Sequence, residues 1–147
     1  GPSSFLGVMR RIKSQLNENS NMHAKFEELH ELNHNEVVAY EAFEHPHFSV
    51  LFIRHHDERV ELSKRIEITK DILNGNVGTS HDMWSYGKSK LSKVLSLVYQ
   101  GDYLSFELAE LRNVDWKTTK TIDRVKEGLK EIGTVEKLEK ELGFISG

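Results

Sequence analysis

The chain has 147 residues, 37% of them hydrophobic and 29% charged, with a net charge of −3 and no cysteine. That balance describes a soluble chain of about one domain. It excludes a broadly basic nucleic-acid binder, a disulfide framework, a thiolate zinc site and a cysteine nucleophile.

No apolar run approaches the roughly eighteen residues of a membrane-spanning helix. Lack of cysteine fits the cytoplasm or another reducing compartment. Gly1-Pro2-Ser3 reads as the remnant of a cleaved expression tag and is set aside, leaving residues 4–147 as a single helical domain. With no initiator Met, the chain reads as a piece of something longer.

Ser4 can cap a first helix with Phe5, Met9, Ile12 and Leu16 on one face. After a polar break at residues 17–21, a second helix is predicted over about Met22 to Leu32. Asn35 can cap a short third helix carrying Val37, Tyr40 and Phe43, which should end by Glu44 because Pro46 biases its predecessor away from helix.

The organising element is then a long helix from Pro46 to Leu73. Phe48, Phe52, His55, Arg59, Leu62, Ile66, Thr69 and Leu73 recur at four- and three-residue intervals, one face of a helix roughly 40 Å long. Asn74 and Gly75 suit its end. A rival reading takes Phe48–Ile53 and residues 60–68 as the two strands of a small antiparallel hairpin, with His55–Glu58 as the turn. Residues 74–80, with Gly75 and Gly78, mark a place where two lobes could divide.

In the second half, Ser80 or Asp82 is expected to cap a helix bearing Trp84, Leu91, Val94, Leu95 and Val98, ended by Gly101. Asp102 would cap another, with Leu104, Leu108 and Leu111 inward. A further helix from about Trp116 carries Ile122, Val125, Leu129 and Ile132 up to Gly133. The last, capped by Thr134, carries Val135, Leu138 and Leu142 up to Gly143. Residues 134–144 resemble the first helix and turn of a helix-turn-helix, without the recognition helix that would read a groove.

Seven of the eight histidines lie between His23 and His56. On a helix, Glu27, His30 and His34 would converge, and His55 on the long helix would complete a nitrogen and carboxylate set suited to zinc, iron or manganese. The competing expectation is a solvated polar face with no cofactor. Lys88, Lys90 and Lys93 have no acid between them and are the candidate anion contacts. Trp84, Tyr86, Tyr99, Tyr103, Phe106 and Trp116 exceed what one seam can bury, and so are candidate interface residues.

With no Gly-x-Ser-x-Gly elbow and no phosphate loop, the sequence leans away from an enzyme. The expected object is all-α, a compact bundle of five to seven helices around the long one, with an α+β fold containing the 48–68 hairpin as the alternative. The expected role is a non-catalytic regulatory or protein-interaction domain binding a protein partner or a second copy through its aromatic face. Two alternatives stand beside it: a His/Glu metal-binding protein, and a nucleic-acid-associated regulator whose DNA-reading part lies outside this chain. Nucleic acid is not an expected partner of the chain itself.

Overall fold

The computed structural model describes residues 1–41 and 45–144. The predicted third helix is a 3-10 segment, Glu36–Glu41, and its expected Phe43 and its end at Glu44 fall outside the described residues. The chain divides into two compact units, Gly1–Val114 and Asp115–Gly147.

The first unit contains helices α1 (Leu6–Asn19), α2 (Leu29–Leu32), α3 (Val60–Leu73) and α4 (Lys90–Leu111), with strands β1 (His45–His55) and β2 (Val77–Ser85). The strands pair in parallel, with Phe52 opposite Asp82, Ile53 opposite Met83 and His55 opposite Ser85. The all-α expectation is therefore corrected to a mixed α/β fold. The long Pro46–Leu73 helix does not exist: its first half is β1, and only its second half, α3, is helical.

The reason lies in the residue types. Val50–Ile53 is a continuous run of apolar strand formers, as expected of a strand segment covered on both faces. Phe52 and Ile53 are each 3% exposed although they point to opposite faces of the sheet. A helix-like spacing across the run is a coincidence that burial on both sides produces. The hairpin alternative had the first strand right but the wrong partner: residues 60–68 form the crossover helix, and β1 pairs with β2.

Two apolar layers sandwich the sheet. Phe5, Val8, Met9 and Ile12 from the α1 side meet Ile53, Met83 and Leu97 on one face. Leu29, Ile66 and Leu73 meet Phe52 on the other. The first helix forms with the expected Phe5, Met9 and Ile12 buried, but Ser4 does not cap it: Ser3–Phe5 is a 3-10 turn and Phe5 takes the N-cap position without a side-chain bond.

The second does not, because residues 21–28 are not helical and α2 is a single turn. The local chain finds other partners there: the Asn17 Oδ1 accepts from Ala24 N–H at 2.7 Å, and Leu29 N–H donates to the Gly1 carbonyl at 2.8 Å. Gly1 in turn donates to the Glu27 carbonyl at 3.0 Å, so the residues set aside as a tag remnant pack into this unit.

Residues 74–80 hold the turn after α3 and the start of β2, inside the first unit. Ser80, Asp82 and Trp84 lie on β2 rather than on a helix. Gly101 does not end a helix either. It sits within the 22 residues of α4, where a Cβ would meet Ile12 Cγ1 at 2.4 Å. Its missing side chain is what lets α1 and α4 approach.

The second unit holds α5 (Lys120–Lys130) and α6 (Thr134–Glu141), joined through Gly133 in the left-handed region at φ 69°. No helix of the described residues is long and apolar enough to cross a membrane.

Two substitutions test this packing. Ile66→Ala, at a fully buried position, should lower unfolding free energy by about 2–4 kcal/mol in urea titration. Gly101→Val should cost about 1–3 kcal/mol through overpacking against Ile12. Neutral results at both would contradict the sandwich.

Candidate active site at the carboxyl edge of the sheet

Parallel strands with helices on both faces bring the chain to ligands at their carboxyl ends. Here β1 ends at His55, followed by His56-Asp57-Glu58, and β2 ends at Ser85, followed by Tyr86-Gly87-Lys88-Ser89 and α4. Paired residues of a parallel ladder point to the same face, so His55 and Ser85 share a side with Ile53 and Met83.

His55 Nδ1 lies 2.9 Å from Asp57 Oδ1, and Phe5 meets the imidazole edge-on at 5.6 Å between centroids. Lys93 Nζ from α4 donates to both Asp57 oxygens at 2.5 and 2.6 Å. Hydrogen bonds from Lys93 and then His55 hold the Asp57 carboxyl well below the usual carboxylate range. An imidazole whose Nδ1–H donates to a fixed carboxylate keeps Nε2 as its basic nitrogen. Ser85 Oγ is buried with no protein hydrogen-bond partner among the described residues.

The opposite face of the same edge carries Arg54, 5% exposed. Its guanidinium bonds Glu58, Glu67 at 2.8 Å and the Ser63 hydroxyl at 2.8 Å, and lies 4.5 Å from the Trp84 ring centroid. Burial opposes its charge, but the carboxylates of Glu58, Glu67 and Asp82 outweigh burial and raise its pKa. His56 stacks on Trp84 at 4.8 Å and 11°.

The loop before α4 is tightly fixed. Gly87 has φ 102°, and a Cβ there would fall 2.3 Å from Ser92 Oγ. Ser89 and Ser92 cap the helix reciprocally.

The expected metal set is not assembled. Glu27 lies before α2 with its Oε1 accepting from Glu28 N–H, His30 is exposed on α2, His34 is exposed in the turn beyond it, and His55 ends β1. Without a second helix over residues 22–32, the three- and four-residue spacings carry no shared face. Among the described residues no group of three or more His, Asp or Glu side chains is placed to hold a metal ion.

Of the lysines, Lys93 is engaged with Asp57, while Lys88 and Lys90 are exposed at the start of α4. Tyr86, Tyr99, Tyr103, Phe106 and Trp116 are each at least 38% exposed, and Trp84 is half-buried between Arg54 and His56.

The sequence reading missed Arg54, Ser85 and Gly87. The Ser85-Tyr86-Gly87-Lys88-Ser89 stretch was the available signal, a strand-to-helix turn with a glycine for positive φ and a serine cap.

A parallel βαβ unit with polar and charged groups at its carboxyl edge defines an α/β domain. The profile of the bacterial phospho-glucose isomerase C-terminal SIS domain matches residues 1–129. Three curated relatives are bifunctional phosphoglucose/phosphomannose isomerases.

That of Caldicellulosiruptor bescii is 38% identical over 127 residues, 85% of this chain and 38% of the relative. Those of Thermoplasma volcanium and Aquifex aeolicus are 36% and 37% identical over 127 residues, covering 86% and 84% of this chain and 40% and 39% of the relatives. The chain belongs to the bacterial phospho-glucose isomerase C-terminal SIS domain family.

It spans about two fifths of the length of the relatives it matches. Membership overturns the expected non-catalytic regulatory or protein-interaction bundle, and with it the metal-protein and nucleic-acid alternatives. Those readings rested on a helical architecture and on the lack of short catalytic motifs, and a site assembled from strand ends leaves no such motif.

The carboxylate is the part of this site most open to direct measurement. Asp57 should titrate below the ordinary carboxyl range of about 3.9 by carbon-13 NMR, and Lys93→Ala should bring it back toward that range. Its folded-state pKa is depressed, so the stability it lends is present above the unfolded pKa and lost as pH falls through the folded value. An ordinary Asp57 titration, unmoved by Lys93→Ala, would contradict the geometry.

Proposed function

We propose that this chain forms part of an isomerase that interconverts aldose and ketose phosphates of the glucose and mannose series. The observation that carries the reading is the family match over residues 1–129, supported by relatives named for that activity. The His55–Asp57 pair at the carboxyl edge gives it a chemical basis.

Aldose–ketose interconversion removes the proton on C2, places one on C1 and shifts a proton between the O1 and O2 oxygens. It therefore needs a group that works as base and then as acid near neutral pH. His55 Nε2 is that group here. Asp57 fixes the ring and stabilises the imidazolium formed in passing, and Lys93 fixes Asp57. Lys88 and Lys90 at the start of α4 supply cations for the substrate phosphate. No metal enters this scheme. A reducing compartment accords with the lack of cysteine, and a protein partner or a second copy remains the proposed contact of the aromatic residues.

The test uses the full-length protein that carries this chain, assayed with glucose, mannose and fructose 6-phosphates. His55→Asn should lower kcat by roughly 10²–10⁴-fold with KM little changed, and Asp57→Asn should lower it less. A wild-type kcat in His55→Asn would remove the assignment. A collapse in His34→Asn instead would move the acid–base work to the turn after α2. No isomerisation of any of the three sugars by the wild type would sink the reading itself.

A further inference from the structure

We propose that Asn74 is a site of covalent self-modification, where the folded chain deamidates through a succinimide to aspartate and isoaspartate. The inference goes beyond the isomerase reading and does not depend on it. Asn74-Gly75 is the one Asn-Gly pair in the sequence. It forms the centre of the turn between α3 and β2. Asn74 stands at φ −61° and ψ 123°, Gly75 at φ 85°, and the Asn76 N–H donates to the Leu73 carbonyl at 2.9 Å. Those values define a type II turn, whose third position calls for a glycine. Asn74 and Gly75 are both exposed.

The step is an intramolecular substitution. The Gly75 amide nitrogen gives up its proton to solvent and attacks the Asn74 Cγ. The new N–Cγ bond closes a five-membered ring, and the Cγ–Nδ2 bond breaks to release ammonia. Water then opens the ring at either carbonyl. Opening at Cγ leaves aspartate, and opening at the main-chain carbonyl leaves isoaspartate, with the main chain rerouted through Cγ.

The structure leaves this nucleophile free. Among the described residues the Gly75 N–H donates to no acceptor. The amides after Asn19 and Asn21 both donate to the Leu16 carbonyl, and those after Asn33 and Asn113 to the carbonyls of Glu31 and Ala109. There is also room: a Cβ placed at Gly75 would meet nothing within 4 Å. At ψ 123° the nitrogen does not yet face Cγ. Swinging the 74–75 peptide toward a type I turn, by way of extended ψ, carries it there, and glycine adopts both signs of φ that the swing requires. Holding the two groups on one short tether makes the attack effectively unimolecular. The product places a carboxylate at the C-terminal end of α3, three residues after Asp71, where the helix dipole opposes negative charge. Isoaspartate also lengthens the main chain just before β2 begins at Val77.

The test is peptide mapping by electron-transfer mass spectrometry, which tells aspartate from isoaspartate. The 147-residue chain is held folded for several days in mildly alkaline buffer, beside the same chain unfolded in guanidinium chloride. In the folded chain Asn74 should convert ahead of every other asparagine, to both products, at a rate within about tenfold of the unfolded chain's. Asn74→Gln, whose longer side chain closes a larger ring, should slow conversion at position 74 by about a hundredfold or more, with melting temperature unchanged. An Asn74 that stays intact in the folded chain while the unfolded chain loses it overturns the proposal, as does earlier conversion of another asparagine. Aspartate without isoaspartate would mean direct hydrolysis and overturn the succinimide route. Both comparisons within the wild type stand whether or not the variant folds.

Discussion

The guanidinium of Arg54 holds the first unit together in a way that no apolar contact can. A charge at 5% exposure is untenable without partners. Its partners come from three places: Glu58 from the turn after β1, Glu67 and Ser63 from α3, and Asp82 from β2 at 3.5 Å. Lys70 from α3 also reaches Asp82, at 2.7 Å. Strand, crossover helix and second strand thus meet at one ion cluster beside the carboxyl edge. Breaking such a buried pair leaves an uncompensated charge that costs roughly 3–5 kcal/mol, so the relative placement of the strand ends is held firmly. The apolar sandwich supplies stability in bulk, and Arg54 supplies register.

Register is what function draws on. Because His55 stands opposite Ser85, the end of β1 and the start of α4 face one another, and Lys93 can reach Asp57 across them. The His55 imidazole contacts a carboxylate that is itself held by a lysine from another element. The His55–Asp57 link is local, two residues apart, while the Lys93–Asp57 link is short in space and long in sequence, spanning 36 residues. On the other face, Trp84 is held between Arg54 and His56, coupling the buried ion cluster to the exposed edge.

How much of this could be read beforehand follows the same division. The first helix was legible because α1 buries one stripe against one layer, and Phe5, Met9 and Ile12 announce that stripe. The helix ends at Gly75 and Gly133 were legible because backbone φ there is positive, a local property. β1 was caught only by the hairpin alternative, because Val50–Ile53 carries no alternation and its run joined the true helical period of α3. Gly101 misled for a related reason: a glycine required by close packing against Ile12 looks like a glycine that ends a helix. Of the site, His55, Lys93 and Trp84 were singled out, each in a different role. Their conjunction depends on parallel pairing of β1 with β2, which no local pattern encodes.

The most direct test of the central claim, that this chain belongs to a working sugar-phosphate isomerase, is proton exchange at the substrate carbon. The full-length protein carrying the chain is incubated with glucose 6-phosphate in deuterium oxide and followed by proton NMR. The account predicts loss of the C2 proton signal together with appearance of the ketose phosphate. A protein that binds the sugar phosphate yet leaves the C2 proton in place after prolonged incubation would contradict it.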